Sequence, residues 1–373
     1  MKAHRLTAVS LAFAAAGAAL LSAFGQGSLT PPAGPAGPTM RTLTQVEPRI
    51  PLAAGSPGVT VNANGGFTIA ASGSYYLTAN LTVATGAGII ITSGGVFLDL
   101  MGFTIATTST AAAADQGVFV NVEGSGVVVR NGCIRSTATF DSVAAQTSDS
   151  GFMNGVEGAI NATAVTVSDL TTIGIRATAF VNCSTVERCH VRSAGQGTYN
   201  AGVVRDSTFE RVRDGVVATG YSVISRCRVI AFGSAPANSV LQGRGIAAPI
   251  GTISECNVSV SGFSCVGIDT LAASGSSVNQ CHVRVDSEAG SGTVVGIRNP
   301  IGQTTNCRVE ATSASGGNIT GIDGTTGLVS HCLVTVAPGV GTRVAIKAGV
   351  GDACFVTGGS TSISNRYSMP VSP

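Results

Sequence analysis

Tryptophan is absent from the 373 residues, tyrosine occurs five times, and only 11% of the side chains carry charge. Low charge with 44% apolar content excludes a disordered chain, which needs the opposite balance. Lysine occurs only at Lys2 and Lys347, and leucine and glutamate are scarce, whereas glycine numbers 50. Long helices are therefore excluded, because Gly, Val, Ser and Thr are poor helix formers. Val, Ile and Thr favour strands, and glycine marks the turns between them. There is no phosphate loop, dinucleotide fingerprint, H-E-x-x-H, EF-hand loop or G-x-S-x-G elbow. No C-x-x-C occurs, and neighbours such as Cys281 and His282 on one strand cannot both face a metal; no metal is expected.

The first 25 residues stand apart. MKAHR is basic, LTAVSLAFAAAGAALLSAF is apolar, and Ala23-Phe24-Gly25 offers small residues for cleavage. This is the layout of a secretory signal peptide, and the Ala-rich run is barely long enough to span a bilayer. Secretion or display at the cell surface is expected, with no transmembrane segment after the signal is removed. Loss of residues 1–25 leaves basic and acidic side chains balanced at 19 each, so net charge names no partner and nucleic acid is not expected. Nothing in the sequence fixes an oligomeric state.

Residues 26–56 are rich in Pro and Gly and read as a linker, and 57–94 as an N-terminal β cap. From about residue 95 the chain becomes periodic. Gly-Ile pairs fall at Gly245-Ile246, Gly267-Ile268, Gly296-Ile297 and Gly321-Ile322, with Ala345-Ile346 as a weaker fifth. Cys-x-Val units begin at Cys227, Cys256, Cys281, Cys307 and Cys332, with Cys189 one longer step earlier. Both series keep time together, so each period holds two or three short strands. A unit this small cannot bury its own apolar face and must stack on copies of itself. An all-β parallel β-helix of about ten coils over 95–357 satisfies this, each coil lying about 4.8 Å above the last. Residues 358–373 read as a tail.

YYLTANL, GIIITSGGVFLDLMGFTI, VVVRNGCI and the following coils resemble secreted bacterial right-handed parallel β-helix repeat proteins of the pectate-lyase-like superfamily. The resemblance spans roughly residues 66–357. It implies a right-handed solenoid and leaves activity open, because that superfamily holds lyases, hydrolases, tailspikes and adhesins. The hydrolase motifs Asn-x-Asp, Asp-Asp, Gly-His-Gly and Arg-x-Lys do not occur here, and the acids are scattered. No cofactor is implied, with calcium entering only for lyase-like chemistry.

Stacked cysteines have parallel Cβ vectors that suit a disulfide badly. The sequence therefore predicts a buried ladder of free thiols at Cys227, Cys256, Cys281, Cys307 and Cys332. Cys183, Cys265 and Cys354 lie off that register and are the better candidates for pairing. After the isoleucines come Asp269, Arg298, Asp323 and Lys347. Alternating signs on successive rungs would fix register; alternatively, Asp269 and Asp323 with Arg298 would be a catalytic set for glycan cleavage. Around the cysteines, Arg188, His190, Arg192, Arg226, Arg228, His282, Arg284 and Arg308 read as an outward cationic stripe. Of these, His190, Arg192, Arg228, His282, Arg284 and Arg308 are the candidate ligand-binding residues, and an acidic polysaccharide or cell-surface glycan is the expected partner. The sequence thus favours a non-catalytic interaction module over a polysaccharide lyase or glycoside hydrolase acting on uronic-acid glycans. The loops TATFDSVAAQTSDSGFMNG and SAPANSVLQGR are the longest insertions between coils and are candidates to frame a cleft.

Overall fold

The computed structural model describes residues 49–111, 115–122, 126–159, 164–233, 242–270, 275–287, 292–314, 316–338, 341–358 and the backbone of 360–367. The signal run, most of the linker and most of SAPANSVLQGR lie outside the described residues. Every regular element among the described residues is a strand. No helix there is long and apolar enough to cross a membrane.

The chain is a parallel β-helix with three sheets. Sheet 1 stacks Tyr75, Leu98, Val129, Val167, Val186, Val204, Ile224, Ile253, Val278, Thr304, Val329 and Gly351 in register. Sheet 2 stacks Leu81, Ile105, Ile134, Thr172, Val191, Phe209, Val229, Val258, Val283, Val309, Val334 and Val356. Sheet 3 carries the isoleucine series: Val216, Ile246, Ile268, Ile297, Ile322 and Ile346 lie one above another. These side chains are buried almost without exception and form one continuous core. The stack runs further than 95–357 at both ends. Ile50 already pairs with Tyr75, and the strand Ser360–Tyr367 adds a rung beneath Arg343–Asp352. The antiparallel pairing of Val59–Val61 with Phe67–Ile69 closes the first coil.

The geometry explains why the two sequence series keep time. A Cβ on Gly267 would lie 2.2 Å from a methyl of Val283 and 2.5 Å from the Gly296 carbonyl of the next coil. Gly245 faces Val258, Gly296 faces Val309 and Gly321 faces Val334 in the same way. Each glycine is thus a steric gap on sheet 3 that receives the valine of Cys-x-Val on sheet 2. Neither residue works without the other, so both recur at one period.

Before each ladder residue the backbone turns a corner in the left-handed region: Arg188, Asp206, Arg226, Glu255, Gln280, Asn306, His331 and Ala353 have φ between 46° and 55°. This conformation is costly for a residue with a Cβ. It is held because the corner amide donates to a carbonyl of the next coil, as Arg226 does to Ser254 and Gln280 to Thr305.

All ten cysteines are free. Cys189, Cys227, Cys256, Cys281, Cys307, Cys332 and Cys354 each donate S–H to the carbonyl two residues earlier at 3.2–3.3 Å. Ser207 fills the same slot between Cys189 and Cys227, its hydroxyl donating to the Arg205 carbonyl at 2.8 Å. The expected pairing of Cys183, Cys265 and Cys354 is corrected. Cys354 is a further member of the ladder, Cys265 lies between Gly243 and Val294 in register, and Cys183 donates to the Val181 carbonyl. Burial pushes the Cys189 thiol up to about 12 and raises Cys183 as well, so both remain protonated thiols at neutral pH.

Candidate functional site

The outer face of sheet 2 carries two adjacent polar columns. One runs Thr171, His190, Thr208, Arg228, Asn257, His282 and Arg308. The other runs Arg135, Ile173, Arg192, Glu210, Ile230, Ser259, Arg284 and Glu310. Strand alternation therefore brings His190, Arg192, Arg228, His282, Arg284 and Arg308 onto one face. Arg188 and Arg226 leave it, because the left-handed corners interrupt the alternation before the strand begins.

Acids neutralise most of this face. Glu210 takes Arg228 at 2.6 Å and approaches His190 at 3.5 Å. Glu310 repeats the clamp with Arg308 at 2.6 Å and His282 at 3.7 Å, and Arg284 donates to Asp286 at 2.7 Å. Arg192 differs. It opens, together with Arg135 and Arg211, into a cavity of about 600 Å³ whose lining contains no acidic residue.

The insertion after Arg135 builds that cavity. Its strands Phe140–Asp141 and Gln146–Thr147 pair antiparallel, the one small sheet outside the coil among the described residues. Asp141 turns the hairpin by accepting from the Val143 amide at 2.8 Å. Phe140 is buried and packs on Phe232 with ring centroids 6.0 Å apart. Arg211, itself in the left-handed region at φ 56°, donates to the Phe140 carbonyl at 3.1 Å. On the far side, the Thr147 hydroxyl donates to the Arg176 carbonyl. The insertion thus stands on the sheet as a wall. Ser136, Thr137, Thr139 and Ser193 add hydroxyls to the arginine cavity.

Beyond the wall lies a second cavity of about 310 Å³, lined among others by Asp149, Arg176, Thr178, Gln196 and Arg213. Beneath it, Gln116, Asn154, Thr178, Gln196, Asp214 and Arg244 stack in register on sheet 3. Asp214 is 1% exposed and accepts from Gln196, Arg213 and Arg244, each at 3.0 Å. Glu157 accepts from Gln116 at 2.9 Å and Asn154 at 2.7 Å. The donors gathered around these carboxylates order the floor of the cavity.

Asp269, Arg298, Asp323 and Lys347 do lie on successive rungs in register. Asp269 is 1% exposed, with Arg298 Nη1 at 3.2 Å, and Asp323 accepts from the Thr325 hydroxyl at 2.5 Å. None of the four lines either cavity described above. No group of three or more His, Cys, Asp or Glu side chains able to hold a metal ion occurs among the described residues.

Arg135, Arg211 and the polar stack on Asp214 were not among the sequence candidates. Arg135 had a usable signal: Asn131-Gly132-Cys133-Ile134-Arg135 aligns with Arg188-Cys189-His190-Val191-Arg192 once the left-handed corner is matched. The polar stack changes residue type from each rung to the next, so no sequence repeat marks it.

No protein-family model matches the chain, and no curated protein matches it in sequence. Solved structures similar to the chain include the following two. The A-module of the mannuronan C-5 epimerase AlgE4 from Azotobacter vinelandii is 12% identical, with a TM-score of 0.46 over 81% of this chain and 91% of that one. A mutant DFA-IIIase from Arthrobacter chlorophenolicus A6, in complex with DFA-III, is 11% identical, with a TM-score of 0.35 over 82% and 86%. At these values the likeness concerns the coil and does not extend to chemistry. The three-sheet parallel pairing of the chain itself places it among the parallel β-helices.

Proposed function

We propose that the chain is an exported or surface-held β-helix that binds acidic polysaccharide through the arginine cavity beside the insertion and does not cleave it. One observation supports this most: Arg135, Arg192 and Arg211 share a cavity whose lining has no carboxylate, while the acids elsewhere on the face are engaged. Guanidinium groups bind carboxylate or sulfate bidentately, and the surrounding Ser and Thr hydroxyls suit sugar hydroxyls. About 600 Å³ is the size of a ligand site. The same lining has no carboxylate, imidazole or phenol to exchange a proton with a glycosidic bond. Export rests on the amino-terminal run. A right-handed coil is the sense that nearly all parallel crossovers take.

A panel of uronic-acid, sulfated and neutral polysaccharides tests the reading, following retention, unsaturated-product absorbance and reducing ends together. Retention of the acidic chains without products is expected, and weakening as salt rises. Absence of retention, or product formation abolished by Arg298→Ala, would overturn it.

A further inference from the structure

Arg135 and Arg192 are not simply near one another. Register places Ile173 between them in one column, so they stand two rungs, or about 9.6 Å, apart along the stack axis. Ile173 carries no charge and lines the same cavity. On the next rung comes Glu210, already taken by Arg228 and His190. The cationic segment therefore consists of two charges with an apolar step between, closed at one end by an acid.

We infer that this pair reads the spacing of charge along its ligand. The ligand class is a linear 1,4-linked uronate chain in a two-fold extended form, lying along the stack axis. In such a chain each ring advances by little more than one rung, and successive rings turn over. Carboxylates of rings one and three then face the same side at a separation matching Arg135 and Arg192. The middle ring turns its carboxylate away and lays an apolar face on Ile173. Arg211, drawn toward the Phe140 carbonyl, holds the insertion that keeps the chain in line. The pattern is not repeated further along the column, where Arg284 pairs with Asp286 and Glu310 with Arg308.

This inference rests on the binding role proposed above and is tested separately from it. Binding of mono-, di-, tri- and tetrauronates is measured by calorimetry on the full chain, together with a trisaccharide lacking only the middle carboxylate. Affinity is expected to rise about tenfold from di- to trisaccharide, the scale of one added charge-assisted contact. The middle-reduced trisaccharide is expected to bind as tightly as the full one. Arg135→Ala and Arg192→Ala, both at exposed positions, are each expected to erase the step. A smooth rise with length, a step retained in both variants, or tenfold weaker binding of the middle-reduced sugar would overturn the spacing while leaving polysaccharide binding intact. Failure of every uronate to bind would overturn both.

Discussion

Coils over 243–336 and coils over 104–217 share the same three sheets, yet only the first stretch keeps the repeat. There each coil supplies a Gly gap, a valine to fill it and a cysteine in the ladder, and the outward arginines meet acids. In the second stretch Leu170 and Ser207 replace ladder cysteines, and Thr172 and Phe209 replace valines. The insertion rises from the face, and Arg135 and Arg192 open into a cavity without acid. Thr172 and Thr198 are fully buried with no hydrogen-bond partner for their hydroxyls. The regular stretch gives up surface chemistry for packing, whereas the irregular one accepts packing defects where it gains a groove.

The largest expected effect breaks the regular half. Gly267→Val drives side-chain atoms into Val283 and the Gly296 carbonyl. It is expected to cost more than ~3 kcal/mol or abolish folding, read by denaturant unfolding. Thr172→Val sharpens the contrast in the opposite direction. Replacing a buried unpaired hydroxyl with a methyl of the same shape is expected to stabilise by about 1 kcal/mol, seen as a higher unfolding midpoint. Cys281→Ser is expected to cost about 1 kcal/mol or less, because Ser207 already occupies that slot and bonds the equivalent carbonyl. A much larger loss would mean that the ladder needs sulfur and not merely a small donor.

The smallest effect concerns acid stability at the corners. Hydrogen bonds from Arg188 and Arg226 hold Asp169 and Asp206 below the usual carboxylate range. Their contribution is therefore complete above the ordinary carboxylate pKa and fades as pH falls through the lowered values. Both pairs are roughly half exposed, so the contribution is small. Asp169→Asn with Asp206→Asn should slightly flatten the acid limb of a stability–pH curve and leave neutral stability almost unchanged.

Much of the coil was legible because its period is enforced by contact. Gly267 and Val283 need one another, and Asp269, Arg298 and Asp323 lie on successive rungs. The site was less legible for the same reason. Arg192 was singled out with five other cations, but only the structure shows that Arg228, Arg284 and Arg308 are ion-paired. Arg135 escaped because Cys133 before it faces outward, opposite to the ladder thiols, so a search by Cys-x-Val passed over it. Cys354 was set apart by its shorter spacing, although its corner at Ala353 is like the others. Left-handed corners, rather than cysteines, are the dependable markers of phase in this chain.

Hydrogen–deuterium exchange with and without a polyuronide tests the contrast between the two regions most directly. Protection is expected in peptides covering residues 135–152 and 192–211, with no change over 282–310. Protection spread along 282–310, or confined there, would contradict the account.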